Sequence, residues 1–172
     1  WLSEIASENI RQALSILNVP LVSYVINWQE MKAIHRAAIK ARIPWPDGFT
    51  DIAITSALYR IADKYNVKKV FVGNDFRAEG KQPEQWTYTD GRMLNYIVKK
   101  YEGLNYKSYP NLELTDYFKY ALFKGIKHVR PFWFLPYDKP KAKEFITANL
   151  GWTYYGGHHH ENMFTKFIIS YW

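Results

Sequence analysis

The sequence predicts an α/β protein, with helices layered on a mostly parallel sheet. Two observations carry that expectation. Helical and strand-like patterns alternate along the 172 residues, and the strand-like runs are short and rich in β-branched and aromatic residues. No internal repeat or low-complexity segment interrupts the alternation.

The elements come in order. "LSEIASENIRQALSILN" sets Ile10, Leu14 and Leu17 on one helical face, with Ser3 as N-cap and Pro20 beyond its end. "PLVSYVIN" (20–27) is a continuous apolar run of the length of a buried strand. "WQEMKAIHRAAIKA" reads as a second helix, closed by the proline-rich "RIPWPDG". In "TDIAITSALYRIADKYN" Thr50 is the expected N-cap, Asp51 complements the helix dipole, and Ile54, Leu58, Ile61 and Tyr65 keep helical spacing. "VKKVFVGN" (67–74) is a strand ending in a turn. "GRMLNYIVKKYEG" and "LTDYFKYALFKGI" are further helices, the second capped by Thr115. "KHVRPFWF" (127–134) is a short strand, and "DKPKAKEFITANLG" a helix with Asp138 at its cap, Pro140 in its first turn and Gly151 at its stop.

Composition narrows the classes. At 48% hydrophobic and 18% aromatic residues the chain is globular rather than disordered. Cysteine is absent, which excludes disulfides and thiolate metal sites and fits a reducing, cytoplasmic location. No run of about 18 apolar residues would span a membrane, and no signal peptide is visible. The net charge of +7 favours polyanionic partners, although the lysines are scattered as solvated helix faces would be. The chain begins at Trp1 rather than Met and ends within an apolar run, so it reads as an internal piece of something longer.

In parallel sheets ligands bind beyond the carboxyl ends of the strands. That rule nominates Asn27–Trp28, Gly73–Asn74–Asp75 and Arg130–Pro131. Gly73 lets the backbone approach a ligand, and Asn74 or Asp75 can accept hydrogen bonds from a nucleotide; the alternative is a turn with purely local bonding. Arg130 can clamp a phosphate or carboxylate, or form a structural ion pair. Thr50 and Asp51 begin a helix whose free N–H groups suit an anion or a ribose, though a plain cap explains them as well.

The tail "TYYGGHHHENMFTKF" holds three consecutive histidines. Its internal position argues against a tag. A metal site needs three or four convergent ligands, and adjacent histidines diverge unless the loop bends sharply, as Gly156 and Gly157 would permit. An active-site loop with one histidine and Glu161 aimed at a substrate is the third reading. Composition leaves all of these open.

This tail, taken with "VINWQEMK", "VGNDFRAEG" and "KGIKHVRPF", resembles the N-acetyl sugar amidotransferases of bacterial surface-polysaccharide (lipopolysaccharide and O-antigen) synthesis. Tyr155, Gly156, Gly157, His159, Glu161, Phe164, Thr165, Lys166 and Phe167 match that family's pattern; His158 departs from it, standing where the family usually has lysine. The resemblance implies a PP-loop ATP pyrophosphatase with an adenine nucleotide α-hydrolase-like fold, a Rossmann-like three-layer sandwich. It implies a nucleotide-binding domain over 1–150 without the pyrophosphate-gripping Ser-Gly-Gly-x-Asp-Ser loop, which would precede Trp1, and a truncated substrate-loop segment over 151–172. The implied reaction turns an acetamido group of a nucleotide-linked sugar into an acetamidino group. ATP with Mg2+ activates the amide oxygen, and ammonia arrives from glutaminase and cyclase-like partner subunits. The resemblance gives His159 and Glu161 catalytic roles and Thr50, Asp51, Gly73, Asn74 and Asp75 the nucleotide. It assigns Arg77, Arg130, Tyr155, Gly156, Gly157 and Lys166 to substrate, with no protein-held metal and no nucleic acid. The competing readings are a tRNA-modifying ATP pyrophosphatase and a nucleic-acid-binding module without catalysis.

Overall fold

Asn27 starts the first helix of the larger of two compact units, Tyr24–Leu135. Its side-chain oxygen accepts from the N–H of Gln29 at 2.9 Å and of Glu30 at 3.3 Å, two donors that the helix itself leaves unused. The computed structural model describes residues 2–74, 90–157 and 159–171. From the amino terminus, helices α1 (Glu4–Leu17), α2 (Trp28–Lys40, capped by Asn27) and α3 (Gly48–Lys64) precede β1 (Lys69–Phe71), α4 (Gly91–Glu102) and α5 (Leu114–Phe118). A π turn (Lys119–Phe123), β2 (Lys127–Val129), a 3-10 turn (Pro131–Trp133), α6 (Lys139–Leu150) and α7 (Met163–Tyr171) complete the order.

The Tyr24–Leu135 unit is built around α2, α3 and α4. Ile34, Ala37 and Ala38 of α2, Phe49, Ile52 and Ala53 of α3, and Leu94, Ile97 and Val98 of α4 form one buried cluster with Tyr109. The small alanines let neighbouring elements close in, and burying the larger side chains contributes about 1.5–3 kcal/mol each. At the rim of that cluster the Glu102 carboxylate accepts from Arg36 at 2.6 Å and Lys40 at 2.7 Å, tying α4 to α2. Gly91, the first residue of α4, has to be glycine, since a Cβ would lie 2.4 Å from the Leu112 carbonyl oxygen.

The 104–113 segment is strapped across these helices by a carboxylate. Glu30 accepts from the backbone N–H groups of Lys107 at 2.6 Å and Tyr109 at 2.7 Å, and from Ser108 through both its N–H and its hydroxyl. Three successive amides turned to one point form an anion-binding nest, here filled by the chain's own side chain. Burial alone would raise the Glu30 carboxyl; the Ser108 hydroxyl and the three amides outweigh it and hold the group below its usual value.

The sheet of this unit is a parallel pair among the described residues. Lys69 faces Lys127, Val70 faces His128 and Phe71 faces Val129. The fold is therefore mixed α/β but helix-rich. Helix α3 covers one face: Tyr59 stacks on His128 with centroids 4.6 Å apart and on Tyr120 at 5.3 Å, while Ala62, Ile126 and Val70 pack around it. The Ala62 carbonyl receives the Val67 N–H at 2.7 Å as the chain turns into β1, so α3 runs back along the strands.

Several sequence expectations change here. No strand forms over 20–27; Val25 is 88% exposed, and an apolar run makes a strand only where a neighbour supplies the ladder. The two remaining strands shorten to three residues each, and β2 ends ahead of Pro131, which lacks the N–H to extend it. Helix α3 begins three residues before Asp51, with Asp47 rather than Thr50 as its N-cap, and it buries Phe49, Ile52, Ala53, Ser56, Tyr59 and Ala62 instead of the Ile54–Leu58–Ile61–Tyr65 face. Helix α5 is capped by Glu113, not Thr115: the Glu113 N–H donates to Asp116 at 3.1 Å. Helix α7 has no counterpart among the expected elements.

The second unit joins residues 1–23 with 136–172, so α1 and α6 stand with the histidine segment. Asn9 explains this. It is 1% exposed; its amide nitrogen donates to the Thr153 carbonyl at 2.8 Å and its oxygen accepts the Thr153 N–H at 2.8 Å. The pairing imitates one rung of a ladder and fixes residues 151–155 to α1. The expected caps hold here: Ser3 accepts from Ala6 at 3.2 Å, Asp138 from Lys141 at 3.1 Å, and Gly151 closes α6 with φ 64°. Asn162 caps α7 through Phe164 at 2.9 Å and Thr165 at 3.3 Å.

Replacing Asn9 by Ala removes both hydrogen bonds to Thr153 from a buried position of α1, which is expected to cost about 1–3 kcal/mol in denaturant unfolding. Asn9→Asp, which sets a carboxylate against the Thr153 carbonyl, is expected to cost more at neutral pH than in mild acid. Wild-type unfolding midpoints in both variants would refute the locking role.

Candidate functional site

The parallel register sends β1 and β2 out at the same end, and there the structure brings two nominated segments together. The Val72 N–H donates to the Val129 carbonyl at 3.0 Å, one residue beyond the ladder. Past it, Arg130 Nε donates to the Asn74 carbonyl at 3.2 Å, and its guanidinium carbon lies 5.4 Å from the Trp133 ring centroid. The cation is thus held along one edge by backbone and over a ring face by the 3-10 turn. Gly73 is exposed, and a Cβ there would meet nothing within 4 Å, so the backbone at this strand end borders open space. Asp75 and Arg77 lie outside the described residues.

Behind Arg130 sits His128. Its Nε2 is buried without a hydrogen-bond partner among the described residues. Burial first, and the neighbouring Arg130 cation second, push its imidazole below the ordinary histidine value. Tyr59, stacked on it, is pushed up by burial and by Tyr117, with Arg130 opposing. The strand end therefore carries a fixed guanidinium backed by an imidazole that resists a second positive charge.

Thr50 and Asp51 occupy the first turn of α3. The Thr50 hydroxyl donates to Asp47 Oδ1 at 2.6 Å, and Asp47 Oδ1 lies 3.5 Å from His35 Nε2 in a buried pair. Thr50 thus has a local partner in the cap itself. Asn27, the third nominated strand end, is occupied with capping α2.

His159, Glu161, Tyr155, Gly156, Gly157 and Lys166 all belong to the other unit. Gly156 turns with φ 101°, a conformation open to glycine, and His159 comes after it at φ 61°. A Cβ on Gly157 would meet the His160 ring at 2.4 Å, so the ring would have to move to admit one. His160 therefore packs on the glycine pair, whereas His159 Nδ1 lies 3.7 Å from Glu161 Oε1. The Tyr155 hydroxyl is raised by burial, then by the Glu161 charge and a hydrogen bond to that carboxylate. Glu161 is held from both sides, and its own carbonyl accepts the Ser3 N–H at 2.8 Å. Lys166 is exposed on α7. Among the described residues no grouping of three or more His, Cys, Asp or Glu side chains is placed to hold a metal ion.

Sequence reasoning passed over two features. Tyr154, with Lys143 Nζ 4.2 Å from its ring centroid, extends an aromatic row through Tyr155 at 6.2 Å; the run "WTYY" was its visible signal. An open groove of about 210 Å³ is lined by Gln29, Glu30, Ala33, Arg36, Glu102 and Leu104. Its charges already satisfy one another, and no residue spacing in the sequence announces it. Comparison with protein-family models, with curated proteins and with solved structures found no match for the chain.

His128 supplies a test of the electrostatics. With its folded pKa below the unfolded value, the folded state prefers the neutral ring. The corresponding stability is complete above the unfolded value of about 6.5 and is lost as pH falls through the folded value. Unfolding midpoints measured from about pH 7 to pH 5 are expected to drop in the wild type and to flatten in His128→Phe; equal slopes would show that His128 is not strained by protonation.

Proposed function

We propose that the chain belongs to an ATP-dependent amidotransferase that converts an acetamido group of a nucleotide-linked sugar to an acetamidino group in surface-polysaccharide synthesis. The observation that carries the reading is Arg130 fixed beside Asn74 at the carboxyl end of the parallel β1–β2 pair. It is supported by the sequence resemblance over the tail and by the His159–Glu161–Tyr155 chain of contacts. In this reading the two strands are part of a larger Rossmann-like, adenine nucleotide α-hydrolase-like three-layer sandwich, working in the cytoplasm.

The residues fit an anionic nucleotide: open space at Gly73, a positioned guanidinium at Arg130, and a +7 chain. When bound, ATP would supply activation of the amide oxygen, with pyrophosphate released on activation and AMP released when ammonia displaces that oxygen. Arg130 would hold a phosphate oxygen, and Gly73 would let a phosphate approach the backbone. Mg2+ would accompany the nucleotide and neutralise charge on its phosphates. His159 takes the proton from the attacking ammonia, Glu161 orients that imidazole, and the Tyr155 hydroxyl keeps Glu161 in place. Ammonia comes from glutaminase and cyclase-like partners.

Removing a charge-assisted contact to phosphate costs about 1.5–3 kcal/mol, so Arg130→Ala is expected to weaken ATP binding by roughly ten- to a hundredfold. Asn74→Ala is expected to weaken it as well, measured by calorimetric titration. Unchanged ATP affinity in both variants removes the strand end from the site. In assays of amidine formation with ammonia as donor, His159→Ala is expected to abolish product while ATP affinity and folding persist, and His158→Lys to be tolerated. Stoichiometric zinc lost together with activity in His159→Ala would overturn the acid–base role.

A further inference from the structure

We infer that the amino-terminal end of the β1–β2 pair is a docking surface for an anionic lipid bilayer. Lys68, Lys69, Lys124 and Lys127 are all exposed and converge where α3 passes into β1 and the π turn passes into β2. Lys68 Nζ donates to the Lys124 carbonyl at 3.0 Å, the Lys127 N–H donates to the Lys68 carbonyl at 2.9 Å, and Lys69 and Lys127 face each other in the ladder. Among the described residues the carboxylate that pairs with this group is Asp63, 3.0 Å from Lys124 Nζ. Four cations against one anion leave three positive charges on a small surface.

Beside those charges the same turn exposes hydrocarbon. Leu122 is 69% and Phe123 86% exposed. The stripe continues at four-residue spacing through exposed Phe118 and Leu114, next to exposed Lys119. Cations flanking an apolar wedge are what an anionic membrane surface complements: the lysines reach lipid phosphates while Leu122 and Phe123 enter the headgroup–acyl boundary. A nucleic acid would engage the lysines and could stack on Phe118 and Phe123, but Leu114 and Leu122 offer it neither a ring nor a charge, whereas a bilayer surface uses all four apolar side chains. No helix of the described residues is long and apolar enough to cross a membrane, so the association is interfacial. This surface lies at the other end of the strands from Arg130 and Asn74, and it does not depend on the nucleotide reading.

The test is flotation of the full chain with vesicles of phosphatidylcholine alone and of phosphatidylcholine mixed with phosphatidylserine, at low and high salt. Binding is expected on the mixed vesicles alone and is expected to weaken with salt. Each patch lysine changed to Gln is expected to reduce partitioning about fivefold. Lys32→Gln removes the same charge from α2 and is expected to change nothing, and Leu122→Ser with Phe123→Ser is expected to lower partitioning at least about tenfold. These positions are exposed, so circular dichroism is expected to stay that of the wild type; should the double serine variant unfold, Phe123→Ser alone carries the test. Absence of binding to the mixed vesicles, equal loss with Lys32→Gln, or binding to an RNA oligonucleotide without binding to vesicles overturns the assignment.

Discussion

A parallel pair of three-residue strands has no stability of its own, and in the Tyr24–Leu135 unit it depends on the contact between Tyr59 and His128. Parallel ladders are ordinarily buried between helices. Here α3 supplies the cover, and the stacked Tyr59, His128 and Tyr120 rings fix where α3 lies along the strands. That placement sets the register in which Val72 meets Val129, and so sets Arg130 against Asn74. The guanidinium owes its position to a core contact two residues earlier in the chain. The same contact is the source of the histidine's resistance to protonation, since a charged ring would sit buried between an aromatic face and an arginine.

In the other unit one amide has a comparable role. Asn9 is a polar residue on the inner face of an amphipathic helix, and its burial is tolerable because both its donor and its acceptor are used by Thr153. It converts the stretch after α6 from a free connection into a fixed approach to the glycine pair. Beyond it Gly156 takes a positive φ, the His160 ring lies against Gly157, and Ser3 holds the Glu161 carbonyl.

Helices were the legible part of this sequence, because capping residues and apolar spacing are local. Ser3, Asp138 and Gly151 act where their residue types and spacing place them. The misplacements have a common cause. Thr50 and Thr115 look like caps, yet an acidic residue shortly before each, Asp47 or Glu113, starts the helix and leaves the threonine inside its first turn. Which face of α3 is buried was not legible either, since two apolar stripes compete along it and the choice falls to Ala53, Ser56 and Ala62, small residues that allow close packing. The 20–27 run shows the limit of strand patterns: composition fits a ladder but cannot provide its partner. Of the candidate site, the meeting of Arg130 with the Gly73–Asn74 segment came from strand ends and parallelism. The hold of Tyr155 on Glu161 depends on how the glycine pair bends the chain, which no local pattern encodes.

The π turn at Lys119–Phe123 fixes chain length as well as shape. Its closing bond runs from the Lys124 N–H to the Lys119 carbonyl at 2.9 Å, five residues back instead of four, so one residue more than a regular helix occupies that turn. The additional residue rotates the chain beyond it by about a quarter turn or slightly more. Tyr120 is thereby directed toward Tyr59 while Leu122 and Phe123 face outward. Substitutions at 121–123 can preserve that arrangement, but losing a single residue there would regularise the helix, carry the outward pair around its axis and draw β2 out of register with β1. Related chains should therefore vary in this segment by exchange of residues and seldom by insertion or deletion.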